Sequence, residues 1–398
     1  MQNRRQFLKV AGTALGGMML LPEFLMAIPQ SAKELLTGAE DLEHILVVIQ
    51  LSGGNDGLNT FIPYGNPAYY ELRSGLAIPK NEILTVNSTM GFNPAMKGFS
   101  DIFQDGNASI LQNVGYPNPD RSHFRSTEIW QTASNTEEYL STGWIGRHLD
   151  STCGTKNILG AVNIDSIDSL ALQGSNVHSI SLQNPEQFER QIKGMNNVDD
   201  SPNENPNLAY VKKLAVSAFE GSDQIKSALE KSEKYDINYP DSSIGKSLRW
   251  ISRMIKGDLK TKIYYTSFGG FDTHANQLNT HKNKLGQLSD AVKVFYDDLK
   301  TSNLIDRTSI LVFSEFGRRV IPNGSNGTDH GKAAPVFLIG GKAKGKIIGN
   351  DPDLVNLNQG DVNFTSDFRS IYATILKNKF NSDLKTVGLD SFKPINLF

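Results

Sequence analysis

The sequence predicts an α/β fold built on a largely parallel central sheet. Three observations carry that prediction. Short apolar, β-branched runs alternate with helical stretches, the order produced by successive βα units. Acidic residues, histidines and glycines gather in the segments that adjoin those runs, where open α/β sheets bind ligands beyond the strand carboxyl ends. The chain has 398 residues and one cysteine, Cys153. That length can bury a large core without covalent staples, and a lone thiol forbids an internal disulfide or a thiolate metal cluster.

The first 30 residues read as an address rather than as part of the fold. Arg4 and Arg5 stand side by side, and an apolar run from Val10 to Leu21 follows, ended by Pro22. As a helix that run spans about 18 Å, short of the roughly 30 Å hydrocarbon core, so it is not a stable membrane span. A basic segment before a short apolar one reads as a signal peptide, with a basic amphipathic helix as the plainer alternative. The paired arginines resemble the twin-arginine class. They imply the twin-arginine translocase as a partner and a periplasmic or secreted location. No cysteine follows the apolar run, which excludes a lipoprotein anchor there. Residues 31–398 are expected to form one large α/β domain.

Residues 45–51 (ILVVIQL) read as a strand buried on both faces. Residues 108–114 and 158–164 are weaker strand candidates. Residues 122–133 read as a helix opening at a Ser122 N-cap. The Asn-, Pro- and Asp-rich stretch 183–207 reads as a loop. Residues 208–234 and 244–255 read as helices, 262–268 as a strand, and 278–299 as a long helix with a polar face. Residues 309–313 (SILVF) and 336–339 (VFLI) read as strands and 367–376 as a late helix.

Four polar clusters adjoin these strands. Gly53-Gly54-Asn55-Asp56-Gly57 follows the first strand; Gly269-Gly270-Phe271-Asp272-Thr273-His274 follows 262–268; Ser314-Glu315-Phe316-Gly317-Arg318 follows 309–313. Gly327-Thr328-Asp329-His330-Gly331 comes shortly before the strand 336–339. Together they would converge on one edge of one sheet, and their oxygen and imidazole donors suit zinc, manganese or magnesium. Each also has a plainer reading. Asn55-Asp56-Gly57 serves equally as a turn. Asp272 and His274 could be an exposed pair, Glu315 a structural partner of Arg318 or Arg319, and His330 a solvated loop histidine. His44, His148 and His178 are assigned no site role, and His281 is read as lying on a solvated helix face.

Ser122 lies between Arg121 and Arg125 at a helix start, where backbone N–H groups favour an anion. It reads either as a nucleophile or as an ordinary N-cap. No G-x-S-x-G elbow occurs, so an α/β-hydrolase esterase is unsupported. Gly340 to Lys346 matches a phosphate-loop pattern, but Ile347 stands where Ser or Thr is needed, so it reads as a basic turn. Lys plus Arg totals 40 against 42 for Asp plus Glu, which lacks the basic footprint of a nucleic-acid binder.

The paired-arginine leader, the Gly-Gly-Asn-Asp-Gly-Leu-Asn loop, Arg121-Ser122-His123-Phe124, Gly270-Phe271-Asp272-Thr273-His274-Ala275-Asn276-Gln277, Ser314-Glu315-Phe316-Gly317-Arg318 and Gly327-Thr328-Asp329-His330-Gly331 together carry a resemblance. Over essentially its whole length the chain resembles the exported bacterial domain-of-unknown-function 1501 proteins, a family similar to the alkaline phosphatase and sulfatase superfamily. The resemblance implies an alkaline-phosphatase-like three-layer sandwich with a divalent metal (Zn, Mn, Mg or Ca) at the sheet's carboxyl edge. It implies Asp272, His274, Glu315 and His330 as metal ligands, Asp56 as a substitute for a first-strand aspartate, and Ser122 as the nucleophile. Phe316 stands where the superfamily carries a further histidine. The expected function is an exported metal-dependent hydrolase of phosphate or sulfate esters, with an anionic small-molecule or polymer ester as substrate and Arg121 or Arg125 holding the anion. The alternatives are a catalytically degenerate envelope binding or assembly protein that keeps the fold, and a metal-independent carbohydrate-active enzyme using two carboxylates.

Overall fold

The computed structural model describes residues 44–153, 159–185, 187–188, 190 and 206–398. The expected leader lies outside the described residues, as does Ile158, the first residue of the second weak strand candidate. Among the described residues the central sheet has nine strands: β1 (Ile45–Ser52), β2 (Ala108–Gly115), β3 (Ala161–Ile164), β4 (Ser179–Leu182), β5 (Ile263–Gly269), β6 (Thr308–Ser314), β7 (Ala334–Gly340), β8 (Ile347–Ile348) and β9 (Ser366–Asp367). Their order is β8-β2-β7-β6-β1-β5-β3-β4, and β9 pairs with β2. Neighbours run parallel except around β7, which is antiparallel to both β6 and β2.

The reversal of β7 decides where the site forms. The clusters after β1, β5 and β6 lie at the carboxyl edge by direction alone. The Gly327–Gly331 cluster precedes its strand and would fall at the opposite edge of a wholly parallel sheet. Because β7 runs backwards, its start at Ala334 lies opposite Val114 at the end of β2, on the same edge as the other three clusters.

Among the described residues the longer helices are α1 (Lys97–Gln104), α2 (His123–Thr132), α3 (Trp144–Thr152), α4 (Pro206–Ser232), α5 (Ser243–Lys256), α6 (Gln277–Thr301) and α7 (Phe368–Phe380), with shorter ones at Pro67–Leu72 and Leu384–Val387. Side chains alternate across a strand, so β1 supplies both cores. Ile45, Val47, Ile49 and Leu51 pack with residues of α1, α5 and α6, while Leu46 and Val48 pack with residues of α2, α3 and α7. This is a helix–sheet–helix arrangement with a mostly parallel sheet. On the second face Trp130 stacks on Phe313 and Phe368, with ring centroids 4.8 and 4.3 Å apart. Among the described residues no helix is long and apolar enough to cross a membrane.

Three expectations change. The stretch 183–207 is not all loop: α4 begins at Pro206, and Phe188 N–H bonds to the Asn184 carbonyl as in a helical turn. The short helices α1 and α3, like those at Pro67–Leu72 and Leu384–Val387, were not expected. α1 has eight residues and no side-chain cap, and α3 opens on Gly143, so neither carries a start signal. The edge strand β4 is only partly buried, which weakens its pattern.

Candidate metal centre

The loops that build the site are held together by glycines and one arginine. Gly53 and Gly54 follow β1 with φ of +118° and +69°. A Cβ on Gly53 would lie 2.4 Å from the Asp272 nitrogen, and one on Gly54 would lie 2.2 Å from the Phe316 ring. Only glycine permits both the backbone geometry and the close approach of the β5 and β6 loops. Arg318, 3% exposed, donates to the carbonyls of Gly54 (2.7 Å), Thr328 (2.7 Å), Phe271 (3.1 Å) and Gly53, and to Asp272 Oδ1 at 2.6 Å. One buried side chain thus ties the loops after β1 and β5 to the loop before β7. A guanidinium's fixed fork suits that task better than an ammonium.

Asp272 Oδ1 is the focus of the site. His274 Nε2 lies 3.0 Å from it, and the Nε2 atoms of His123 and His330 each lie 3.3 Å away. The Nε2 atoms of His274 and His330 are 2.9 Å apart. The other nitrogen of each ring is held from behind. His123 Nδ1 faces Glu315 Oε1 at 2.8 Å, His274 Nδ1 faces Asp329 Oδ1 at 3.3 Å, and His330 Nδ1–H donates to the Arg121 carbonyl at 2.7 Å. A proton on each Nδ1 leaves the lone pair of each Nε2 pointing inward, the arrangement in which imidazole binds a metal.

The electrostatics follow from these contacts. The bond to Glu315 raises the His123 pKa above its ordinary value. Burial lowers that of His330. Burial opposes ionisation of Asp272, but Arg318 and the neighbouring histidines outweigh it and hold the carboxyl at about 2. Asp272 is therefore an anion at neutral pH.

A divalent cation fits this donor set. The ligand atoms of His123, Asp272 and His330 lie within 4.8 Å of one another. His123 Nε2 is buried and makes no hydrogen bond. Such an orphaned nitrogen is costly unless something else takes its lone pair. Three imidazoles and a carboxylate suit zinc or manganese better than calcium.

The structure brings Asp272, His274 and His330 together as the sequence suggests. Glu315 is adjacent but stands behind His123. Its Oε1 accepts from Gly53 N–H and its Oε2 from the Ser314 hydroxyl, so it orients His123. Asp56 is not brought to the cluster: it is fully buried and taken by Arg73 and Gln277. Arg121 pairs with Asp361. Arg125 is buried against Glu128 and donates to the carbonyls of Asn135, Thr136 and Glu138. Both guanidiniums are engaged by these partners. Ser122 is the N-cap of α2, exposed, and its side chain makes no capping bond. His281, expected on a solvated helix face, is 2% exposed and bonds to Asn55 Oδ1 at 2.8 Å. Sequence reasoning assigned no site role to His123, Asp329 or Arg318. His123 follows directly on Ser122 in a quoted motif, and that proximity was the available signal. Phe316 packs its ring against both His123 and His330, with centroids 4.9 Å from each.

A cleft of about 580 Å³ opens beside Asp272, His123 and Glu315, over the ends of β1 and β5 and along α2.

The family described as protein of unknown function (DUF1501) matches residues 43–385. Among solved structures the chain is similar to a sulfatase from Pseudoalteromonas sp., with 12% identity, a TM-score of 0.38, and coverage of 92% of this chain and 73% of that one. A protein in the alkaline phosphatase superfamily from Vibrio parahaemolyticus is similar at 10% identity and a TM-score of 0.38, over 85% of this chain and 66% of that one. The phosphonate monoester hydrolase from Silicibacter pomeroyi is similar at 8% identity and a TM-score of 0.36, over 89% and 76% respectively. No curated protein matches the chain.

Proposed function

The chain belongs to the DUF1501 family of proteins of unknown function, and we propose that it is an exported, metal-dependent hydrolase of phosphate or sulfate esters. The observation that carries this reading is the convergence of three imidazole Nε2 atoms on Asp272 Oδ1, each ring held by an outer partner through Nδ1. His123, His274, His330 and Asp272 would hold the ion. A divalent ion there supplies concentrated positive charge for an anionic ester and for the charge that develops as it reacts.

The chain's own residues supply the rest. Glu315, Asp329 and the Arg121 carbonyl orient the ligands, and Arg318 fixes Asp272. Ser122 is the nucleophile in this reading. Its Oγ forms a bond to phosphorus or sulfur while the bond to the bridging oxygen breaks and the alcohol leaves with a proton; water then releases the group. With Arg121 and Arg125 engaged elsewhere, the anion falls to the ion and to the free N–H groups at the start of α2.

Elemental analysis of purified protein, with a panel of phosphate and sulfate esters, tests the reading. It expects bound divalent metal, chelator-sensitive turnover, loss of metal in Asp272→Ala, and loss of turnover with metal retained in Ser122→Ala. A metal-free protein that turns over no ester would overturn it. Export through the twin-arginine translocase rests on the paired arginines of the leader. Replacing Arg4 and Arg5 by Lys should strand the precursor in the cytoplasm.

One observation favours a second reading, a degenerate envelope binding protein that keeps the fold. Phe316 fills the space against His123 and His330, and both nearby arginines are committed to structural partners. In that case Asp272→Ala lowers the melting temperature or partner recovery, and no ester is turned over by the intact protein.

A further inference from the structure

Gln277, the last residue of the motif that begins at Gly270, opens α6 and is fully buried. Its amide meets three different loops. Nε2 donates to Asp56 in the loop after β1. Oε1 accepts from the Thr273 hydroxyl at 3.0 Å and from the Thr328 hydroxyl at 2.5 Å. Thr273 stands between Asp272 and His274, and Thr328 stands two residues before His330. The amide's orientation follows from its partners. The Asp56 carboxylate, paired with Arg73, only accepts. The NH2 group therefore faces Asp56, and the carbonyl is left for the two hydroxyls.

These bonds lie away from solvent. Thr328 and Asp56 are fully buried, and Thr273 is nearly so. A buried hydroxyl that loses its acceptor is costly, so the groups hold one arrangement. The backbones of the two loops also touch. Thr328 N–H donates to the Thr273 carbonyl at 3.1 Å, and Gln277 N–H to the Asn326 carbonyl at 2.9 Å. A Cβ on Gly327 would lie 2.2 Å from the His274 carbonyl carbon. The separation of these loops sets that of His274 and His330, whose Nε2 atoms are 2.9 Å apart. The two side chains are 45% and 22% exposed, so packing alone does not fix the rings, and their backbone anchors matter.

We infer that Gln277 is a positioning residue: its amide clamps the His274 loop to the His330 loop and holds the two imidazoles at the spacing that one metal ion requires. Gln277 acts through Thr273 and Thr328 and is not a ligand. The inference rests on the proposed metal-centre reading for the ion only, because the clamp is a property of the metal-free chain.

The test uses the full chain and two readouts: cobalt(II) affinity with its visible spectrum, and hydrogen–deuterium exchange of the metal-free protein. Gln277→Met keeps the side-chain volume and removes its bonds. Thr328→Val is the milder variant, which decides should Gln277→Met not fold, and Thr328→Ser keeps the hydroxyl. Gln277→Met and Thr328→Val should each weaken cobalt(II) binding about tenfold, as loss of outer support for metal ligands does, and should alter the visible band. In the metal-free chain both should speed exchange in 272–277 and 323–331 about fivefold relative to β1, the effect of one lost hydrogen bond on a local opening. Thr328→Ser should match the parent protein in both readouts. Asp298→Ala, near the other end of α6, should leave the cobalt(II) spectrum unchanged. Unchanged relative exchange in both disrupting variants, or unchanged cobalt(II) affinity in them when the parent binds the ion, overturns the inference. So does a Thr328→Ser variant that behaves like Thr328→Val. If the parent binds no cobalt(II) while relative exchange responds as stated, the metal reading falls and the clamp stands.

Discussion

His123 is the side chain of the converging set that the sequence conceals best. It follows a serine that reads as a nucleophile or a cap, and it lies 149 residues before Asp272 in the chain. Nothing in that spacing reports that the two touch. Glu315 shows the converse: it is legible as a strand-end acid, but its place behind His123 emerges only once β1 and β6 are paired. Two expected outcomes belong at this scale. Glu315→Gln should lower divalent-metal affinity about 10–100-fold, the usual effect of losing a ligand's outer partner, as measured by competition with a chromophoric chelator. Asp56 has no such role here, so Arg73→Met should act on stability. It leaves a carboxylate buried without its cation, which costs about 3–5 kcal/mol, and urea denaturation should show this while metal stoichiometry stays unchanged.

At the scale of elements, most helices and strands were readable because their apolar periods were long. The structure extends 278–299 to Gln277–Thr301 and 244–255 to Ser243–Lys256, small changes at frayed ends. What periodicity could not show is how α5 and α6 are joined. Asp298 of α6 is buried and receives Lys256 of α5 at 2.8 Å, the Ser252 hydroxyl and the Tyr239 hydroxyl at 2.9 Å. Asp298→Ala strands the Lys256 ammonium and should destabilise the protein by about 3–5 kcal/mol, read as a lower urea midpoint without loss of metal. The Gly53-Gly54 loop makes a sharper prediction. Gly54→Ala places a Cβ into the Phe316 ring at a φ of +69°. It should cost about 1–2 kcal/mol for the backbone and a further increment for overlap. Pairing it with Phe316→Ala should recover the overlap part alone, as measured by a double-mutant cycle.

At the scale of the whole molecule, three histidines outside the centre, the partly buried His44 and the buried His148 and His281, are held neutral. Burial pushes His44 down to about 3, and His148 and His281 down to about 4. Their unfolded-state value is about 6.5. In the intervening range the unfolded chain binds more protons, so stability is full above about pH 6.5 and is lost as pH falls towards 4. Denaturation midpoints should therefore drop between pH 7 and pH 4.5, and His148→Gln, which removes one of the three groups, should flatten that slope. The sequence by itself determined the class of this fold and most of its elements, because apolar period and strand-end glycines are local properties of the chain. It also placed two of the four converging side chains, Asp272 and His274, because direction alone sends the segment after β5 to that edge. Only the tertiary structure decided the rest. The reversal of β7 carried His330 to that edge, α2 carried His123 to it, and buried partners withdrew Asp56 and Arg125 from it. Strand direction and side-chain partnership are relations between distant segments, and no single segment contains them.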